Sequence, residues 1–473
     1  MNISKITYAM VMVLMMLVMF PSCKDDDDNV KKNGGESTDP EVVDPNNYKP
    51  QNEGALQKAA IANRIKMGGE YYSEMMNHVR SVQFSEFAAK MTKFSNKVSV
   101  AIGANPEGNT AVSPLSVFMA LAMAAESAAG DTRQEILDAM GITYDELNAN
   151  IQYVCYVCNQ SLDRGMSNSN GMNVIRSVNS LWVQDGVTVK DDGVKALTDK
   201  YFTDLFKMDF VNTDVNDLVK SYISNETRGL LSPDLGITPE TYLLLMNVVY
   251  LREIWDEDGN ELRLTDNKYN FINYDQSPVY KQLMQGYYIN GKAVITEKFR
   301  KFKTTTNAGL AITFFVPQDG YTLDDIYTTE VLDDATPYAD VDTTSDPEVN
   351  YRFHTRCIFP DFSANYDADL KDVIKSLGVN KFFERYVCDF SNLTDEKVYC
   401  DRVRHLTTLD VARKGIEGAA VTVAFMEGCT DNNSLEKKIW KDVYYDFLVD
   451  RSFAYIVTKD YIPVFTGVVK TIK

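Results

Sequence analysis

The stretch that decides the fold is Arg413-Lys-Gly-Ile-Glu-Gly-Ala-Ala-Val-Thr-Val-Ala-Phe-Met426, near the C-terminus. It is rich in small residues, largely uncharged and free of proline, and a polar, insertion-like segment follows it. Read with a strand period of two, one face carries Ile416, Gly418, Ala420, Thr422, Ala424 and Met426. The other carries Gly415, Glu417, Ala419, Val421, Val423, Phe425 and Glu427. Both acids fall on a single face, so the opposite face can enter a sheet without desolvating a charge. No proline removes a ladder donor. The segment is a loop by context and a strand by pattern, which suggests a loop able to become a strand.

Working outward, a series of motifs occurs in order along the chain. Asn109-Thr-Ala-Val-Ser113-Pro114-Leu-Ser116 reads as a short strand entering a helix, and Ala128-Ala-Gly130-Asp-Thr132 as the turn closing it. Asn179-Ser-Leu-Trp182 and Asn247-Val-Val-Tyr-Leu-Arg-Glu-Ile-Trp255 each place an asparagine ahead of an apolar run. Phe359-Pro360-Asp-Phe362, Leu370 to Gly378 and Asp389-Phe390-Ser391 come next. The chain ends with Phe447-Leu-Val-Asp450-Arg451-Ser-Phe453 and Pro463-Val-Phe465-Thr-Gly467. In order and spacing these motifs, spread over roughly residues 85 to 473, resemble the signatures of the serpin family.

That resemblance implies an α+β fold. It would be one large domain with three β-sheets, about eight or nine helices and an exposed reactive-centre loop. It implies a protease inhibitor that acts as a suicide substrate rather than an enzyme. The target protease attacks the loop and forms an acyl-enzyme, and the freed strand inserts into the central sheet before water completes hydrolysis. The hinge for that insertion maps to Gly415, Ile416, Glu417, Gly418, Ala419, Ala420, Val421 and Thr422. The family's usual loop length, carried forward from Arg413, places the reactive bond between Cys429 and Thr430. That bond suits an elastase-like or subtilisin-like serine protease, with a cysteine protease as a further target. The stretch from Thr430 to Asp446 exceeds the family norm, so Lys437 or Lys438, suited to a trypsin-like enzyme, is the alternative. A serpin-fold surface binding protein that traps nothing is the rival reading, since a fold does not fix a function.

The chain departs from the family pattern at several positions. Arg413 stands where a glutamate is usual, and Ile416 where a small Thr or Ser is common, so its bulk is expected to slow the first step of insertion. Gly418 adds flexibility. Ser127 replaces a common glycine, and Tyr222 a tryptophan.

At the N-terminus, Lys5 precedes the apolar run Tyr8 to Phe20, which is too short to span a membrane comfortably and right for a signal peptide. Ser22 then directly precedes Cys23, which resembles a bacterial lipoprotein signal with Cys23 as the lipidated residue. Lys24-Asp25-Asp26-Asp27-Asp28 resembles an acidic export tag of surface lipoproteins. The expected organisation is therefore a signal peptide over 1–22, an acidic flexible tether over 23–57, and the serpin-like domain with a helical extension over 58–473. An outer-membrane, cell-surface location follows, with membrane contact through the lipid anchor alone.

The chain is 45% hydrophobic, enough for a large core, and its net charge of -19 argues against a nucleic-acid partner. Three histidines, His78, His354 and His405, stand in no metal-binding spacing with one another, and no GxSxG elbow, Walker loop or dinucleotide fingerprint is present. No catalytic residue, metal site or cofactor is expected. His405 reads as a satisfied structural histidine, and Asp256-Glu-Asp258-Gly259 as a turn. Cys155 and Cys158 read as part of a buried helix, and Cys357, Cys388 and Cys400 as core thiols.

Ala55 to His78 and Phe84 to Ala101 have helical composition, and Ser116 to Ala125 carries an apolar stripe. Ile175 to Val183, Tyr242 to Leu251, Leu310 to Val316 and Tyr445 to Val457 read as strands, and Ala368 to Leu377 as a helix. Segments 256–278 and 318–350, polar and Asp/Thr-rich, read as surface hairpins and loops.

Overall fold

The apolar runs assemble into three large sheets and a hairpin in a computed structural model. It describes residues 48–62, 72–103, 108–159, 174–255, 261–306, 310–346, 349–418, 439–459 and 461–473. The widest sheet contains β1 (Ala60–Ala62), β3 (Val174–Gln184), β4 (Asp204–Met208), β5 (Leu243–Ile254), β15 (Phe362–Asp369), β16 (Arg404–Ala412) and β17 (Gly415–Gly418). They run in the order β1-β4-β3-β5-β17-β16-β15. A second sheet orders β10 (Val294–Ile295), β11 (Phe299–Thr305), β12 (Ala311–Pro317), β19 (Phe453–Lys459), β20 (Ile462–Val469) and β2 (Thr110–Val112). The third orders β13 (Val341–Asp346), β14 (Val349–Phe359), β9 (Met284–Asn290) and β6 (Arg263–Leu264), with β18 (Ile439–Leu448) parallel to β14. β7 (Tyr269–Ile272) and β8 (Pro278–Lys281) form the hairpin. With eleven α-helices among the described residues, the fold is α+β, and its secondary structure belongs to one compact unit.

The Pro114–Ser127 helix explains why the two larger sheets hold together. Ser113 caps it by accepting from Ser116 N at 3.3 Å, and Pro114 occupies its first turn, where a missing N–H costs nothing. It packs on both β5 and β20, so nearly its whole circumference is buried rather than one stripe. Glu126, its single charged residue, is satisfied by Lys200 at 3.0 Å and by the Tyr144 hydroxyl at 3.0 Å. On the other face of the wide sheet the Val215–Glu226 helix covers Trp182 and Phe206, whose rings stack at 4.1 Å. Tyr222 meets Trp182 edge-on at 5.5 Å and donates its hydroxyl to Asp204 at 3.0 Å. The phenol thus fills the aromatic position and also satisfies a buried carboxylate.

Several expectations change. Ala55 to His78 is not one helical region: a helix over Glu53–Ala59 gives way to β1, whose residues pair with the edge strand β4. Ordered contacts also begin upstream of the expected tether boundary at 57, because the Tyr48 hydroxyl bonds Ser224 Oγ and Asn225 Oδ1, each at 2.8 Å. The run Tyr445 to Val457 divides into β18 and β19, separated by Val449, Asp450, Arg451 and Ser452. The helix expected over Ala368 to Leu377 shortens to Lys371–Ser376, because residues through Asp369 pair with β16. Segment 318–350 is not all surface: Leu323, Ile326, Val331 and Leu332 lie on two short helices and pack with Phe299 and Phe315. Asp256 to Gly259 lies outside the described residues.

Candidate functional site

The wide sheet is built around an interrupted centre. β5 pairs with β3 along Leu243 to Arg252, and β15 pairs along its full length with β16. Between these two halves lies β17, four residues long and antiparallel to both neighbours. Its register sets Gly415 opposite Ile254 and Gly418 opposite Leu251 on one side, and Gly415 opposite Ala412 and Glu417 opposite Asp410 on the other. Beyond Gly418 no described strand separates β5 from β16. The gap is a cleft of about 910 Å³, walled by residues such as Leu243, Asn247, His405 and Thr407 and floored by Ser116 and Val117.

The upper end of the cleft shows how β17 is held. A Cβ on Gly415 would stand 2.1 Å from the Glu253 carbonyl oxygen, so only glycine allows this approach of backbone to backbone. Ile416 is 1% exposed and joins the core with Leu251, Leu409 and Val411. Glu417, one residue on, has the opposite orientation and is half-buried, accepting from the Tyr250 hydroxyl at 3.3 Å. Burial, then the nearby Glu417 charge, pushes the Tyr250 phenol up. The turn before β17 is also tied down. Trp255 Nε1 donates to Ala412 O at 2.7 Å, and Leu262 N donates to Arg413 O at 2.8 Å. Arg413 donates to Leu262 O at 3.1 Å and pairs with Glu261 at 2.9 Å. Ile416 is thus seated in the apolar layer, which accommodates its bulk.

A polar track crosses the cleft below. Ser113 N donates to His405 Nε2 at 3.1 Å, which requires that ring nitrogen to be unprotonated. Burial holds His405 down at about 4, in agreement with a neutral ring. Ser116 Oγ donates to Asn247 O at 3.2 Å, while Asn247 Nδ2 donates to Ser177 Oγ at 3.0 Å and Asn179 Oδ1 at 2.9 Å. Ser116, Asn179 and Asn247, all singled out by motif, therefore join one network spanning strands and a helix. Asn109 acts elsewhere: its amide ties Ser363 O and Thr471 O, at 3.0 and 2.9 Å. The partnership of His405 with Ser113, and that of Tyr250 with Glu417, had no sequence signal, because the partners lie 292 and 167 residues apart.

Of the expected hinge, Gly415 to Gly418 form β17, and Ala419 to Thr422 lie outside the described residues. So do Cys429, Thr430, Lys437, Lys438 and Cys23. Cys155, Cys158, Cys357 and Cys388 are buried, and Cys400 is partly buried. Desolvation pushes the Cys155 thiol up to about 12, which makes it unreactive. No cluster of residues able to hold a metal ion occurs among the described residues.

The family model described as serpin (serine protease inhibitor) matches residues 85–471. A serine protease inhibitor of the mouse (Mus musculus) is 25% identical over 332 residues, covering 67% of this chain and 74% of that protein. Among solved structures, the thermophilic serpin tengpin in its native state matches with a TM-score of 0.62 and 18% identity, covering 82% of this chain and 94% of tengpin. Human thyroxine-binding globulin, solved in complex with thyroxine, matches with a TM-score of 0.61 and 15% identity, over 82% of this chain and 99% of that one. The structural likenesses establish the fold.

Proposed function

The chain belongs to the serpin family, and from that premise we propose that it traps a serine endopeptidase as an acyl-enzyme by completing the strand that β17 begins. Protease inhibition in general is what its family relatives support. The observation that carries the mechanism is the cleft itself: four residues of the hinge already lie between β5 and β16, and an open slot continues in their line.

Continuing the β17 register along β5 would set Ala420 opposite Val249, Thr422 opposite Asn247 and Ala424 opposite Leu245. The inward face would then receive only Gly, Ala, Thr and Met after Ile416, none of them charged. In the reaction, the protease serine attacks the carbonyl carbon at the reactive bond, placed between Cys429 and Thr430. The acyl ester forms as the peptide C–N bond breaks and Thr430 leaves as a free amine. The released strand then enters the slot, gaining two ladders of hydrogen bonds and carrying the esterified enzyme away from its own catalytic geometry. An elastase-like or subtilisin-like target fits Cys429, and a trypsin-like one fits Lys437 or Lys438.

The motif around Cys23 supports export as a lipoprotein, anchored by its acylated cysteine at the cell surface. Radiolabelled palmitate entering the natural chain but not Cys23→Ser is the expected result. The rival, a binding protein on the same scaffold, draws on the likeness to thyroxine-binding globulin.

The deciding experiment incubates the full-length chain with elastase-like, subtilisin-like, trypsin-like and papain-like proteases. A complex that survives denaturing electrophoresis is expected, and the mass of the released C-terminal fragment reads the cut. Clean cleavage by every enzyme, with no complex, would sink trapping and favour the binding protein.

A further inference from the structure

β18 is the strand that follows the loop, beginning at Ile439 directly after Lys438. It lies on the edge of the third sheet, parallel to β14 along ten registered pairs from Val349↔Ile439 to Ile358↔Leu448. Alternation divides its residues between two faces. Phe447, with Phe353 and Cys357 of β14, belongs to the buried side. The opposite side turns outward an ordered stack of rings and charges. Arg352 lies over the Trp440 ring at 4.9 Å, and Asp442 bonds His354 Nε2 at 2.9 Å. His354 stacks on Tyr444 at 4.9 Å, and Tyr444 meets Tyr288 of β9 edge-on at 5.1 Å. The Arg356 guanidinium lies 5.0 Å from the Tyr288 ring and grips Asp446 through two bonds of 2.9 and 3.0 Å.

This is an unusual way to finish an edge strand. Edges are normally blunted by charge or proline, and a charged ladder alone would serve. Here Trp440, Tyr444 and Tyr288 remain 48%, 60% and 45% exposed. Their partners hold the rings in place, so little side-chain freedom remains to be lost when something covers them. Tryptophan, tyrosine and arginine are also the residues that dominate binding energy at protein interfaces. The two arginines and two aspartates balance, so the face offers flat apolar area with satisfied charges between.

We infer that this outward face of β18, β14 and β9 is a secondary docking surface for the protease engaged on the loop. The inference rests on the proposed trapping function. Connectivity selects the occupant. An enzyme cutting at Lys437 or Lys438 sits against Ile439 itself. From the Cys429–Thr430 bond, the extended chain to Lys438 reaches about 30 Å, about the diameter of a small domain. The rim of a protease bound at Lys437 or Lys438 therefore overhangs the Trp440 end of the stack, and that of one bound at Cys429–Thr430 does so when the intervening chain is less than fully extended. The surface adds affinity that the loop sequence alone does not supply.

The test compares the full-length protein with Trp440→Ala, Tyr444→Ala and the ring-preserving Tyr444→Phe. Two readouts are taken for the protease found to form the denaturant-resistant complex: the association rate constant and the moles of inhibitor consumed per enzyme trapped. The association rate is expected to fall about tenfold in each alanine variant, with Tyr444→Phe near the natural value and the consumption ratio unchanged. Thermal unfolding, unchanged within a few degrees, shows that the variants are folded. Unchanged association rates in both alanine variants would overturn the inference while leaving trapping intact. If no enzyme is trapped, the same proteases with the nucleophilic serine replaced by alanine are titrated for non-covalent binding. Weaker binding by Trp440→Ala then upholds the surface although trapping has failed, and equal or absent binding overturns both. Concentration-dependent self-association that Trp440→Ala abolishes would assign the face to a second copy of the chain and also overturn the inference.

Discussion

Replacing Gly415 by alanine should expel β17 from the sheet. The added Cβ would lie 2.1 Å from the Glu253 carbonyl oxygen, 2.9 Å from its carbon and 3.0 Å from Ile254 Cα. All three are backbone atoms of β5, so no side-chain rotation relieves the clash. The strand can escape only by leaving, which re-exposes Ile416 and breaks its short ladders. Burying an isoleucine is worth about 2–3 kcal/mol, and each ladder hydrogen bond adds about 1 kcal/mol net. In the natural chain, opening β17 locally should therefore cost about 3 kcal/mol or more. That corresponds to amide protection of about a hundredfold at residues 416–418. The assay is hydrogen exchange resolved to the peptide covering β17, beside the β3 and β15 peptides as internal controls. Gly415→Ala should lose that protection while β3 and β15 keep theirs, and the same variant should be cleaved rather than trapped by the target protease. Retained protection in Gly415→Ala, with trapping at the natural rate, would refute the argument that close backbone approach positions the hinge.

Ile416→Asp would bury a carboxylate in the apolar layer with Leu409 and Val411. It should also release β17 and convert inhibition into substrate turnover, read as the ratio of cleaved to complexed protein on a denaturing gel. His405 sets a pH dependence whose sign follows from its depressed value of about 4, against about 6.5 in the unfolded chain. Below about 6.5 the unfolded state binds the proton and the folded state does not. The His405 contribution is therefore whole above that pH and falls away toward 4, by about 3 kcal/mol in all. Urea melts of the natural chain and His405→Asn between pH 7 and pH 4 should converge as the pH falls. Gly467→Ala places a Cβ 1.8 Å from the Thr110 carbonyl oxygen, where β20 meets β2, and should lower the melting temperature by more than about 5 °C or prevent folding. Arg413→Ala loses an ion pair whose partners are both about 40% exposed, so thermal melts should move by about 1 kcal/mol or less.

Much of this architecture was legible in the sequence because it depends on short periods. The largely apolar run at Leu310 reads as a strand, and β12 forms there inside its sheet, flanked by β11 and β19. The Ser-Pro-x-Ser opening reads as a helix start, because capping is a local event between residues three apart. The failures are also local in origin. A three-residue strand such as β1 has no periodicity of its own and exists only through its pairing with β4. Leu323, Ile326, Val331 and Leu332 are too few among Asp and Thr to signal burial, yet a second apolar layer against Phe299 and Phe315 captures them.

The hinge shows most clearly where the division falls. Alternation in Gly415 to Met426 determines which side chains share a face, and the absence of charge on one face determines that this face can be buried. Those are properties of neighbours along the chain, and no fold is needed to state them. Whether a slot exists to receive that face is a different matter. It depends on β5 and β16 standing apart, on Glu253 approaching Gly415 closely enough to forbid a side chain, and on Ser113 meeting His405 beneath the gap. These partners are remote in sequence and meet only when the sheets close on the Pro114–Ser127 helix. A pattern able to form a strand is therefore a local property, while the cleft between β5 and β16 is decided by long-range packing.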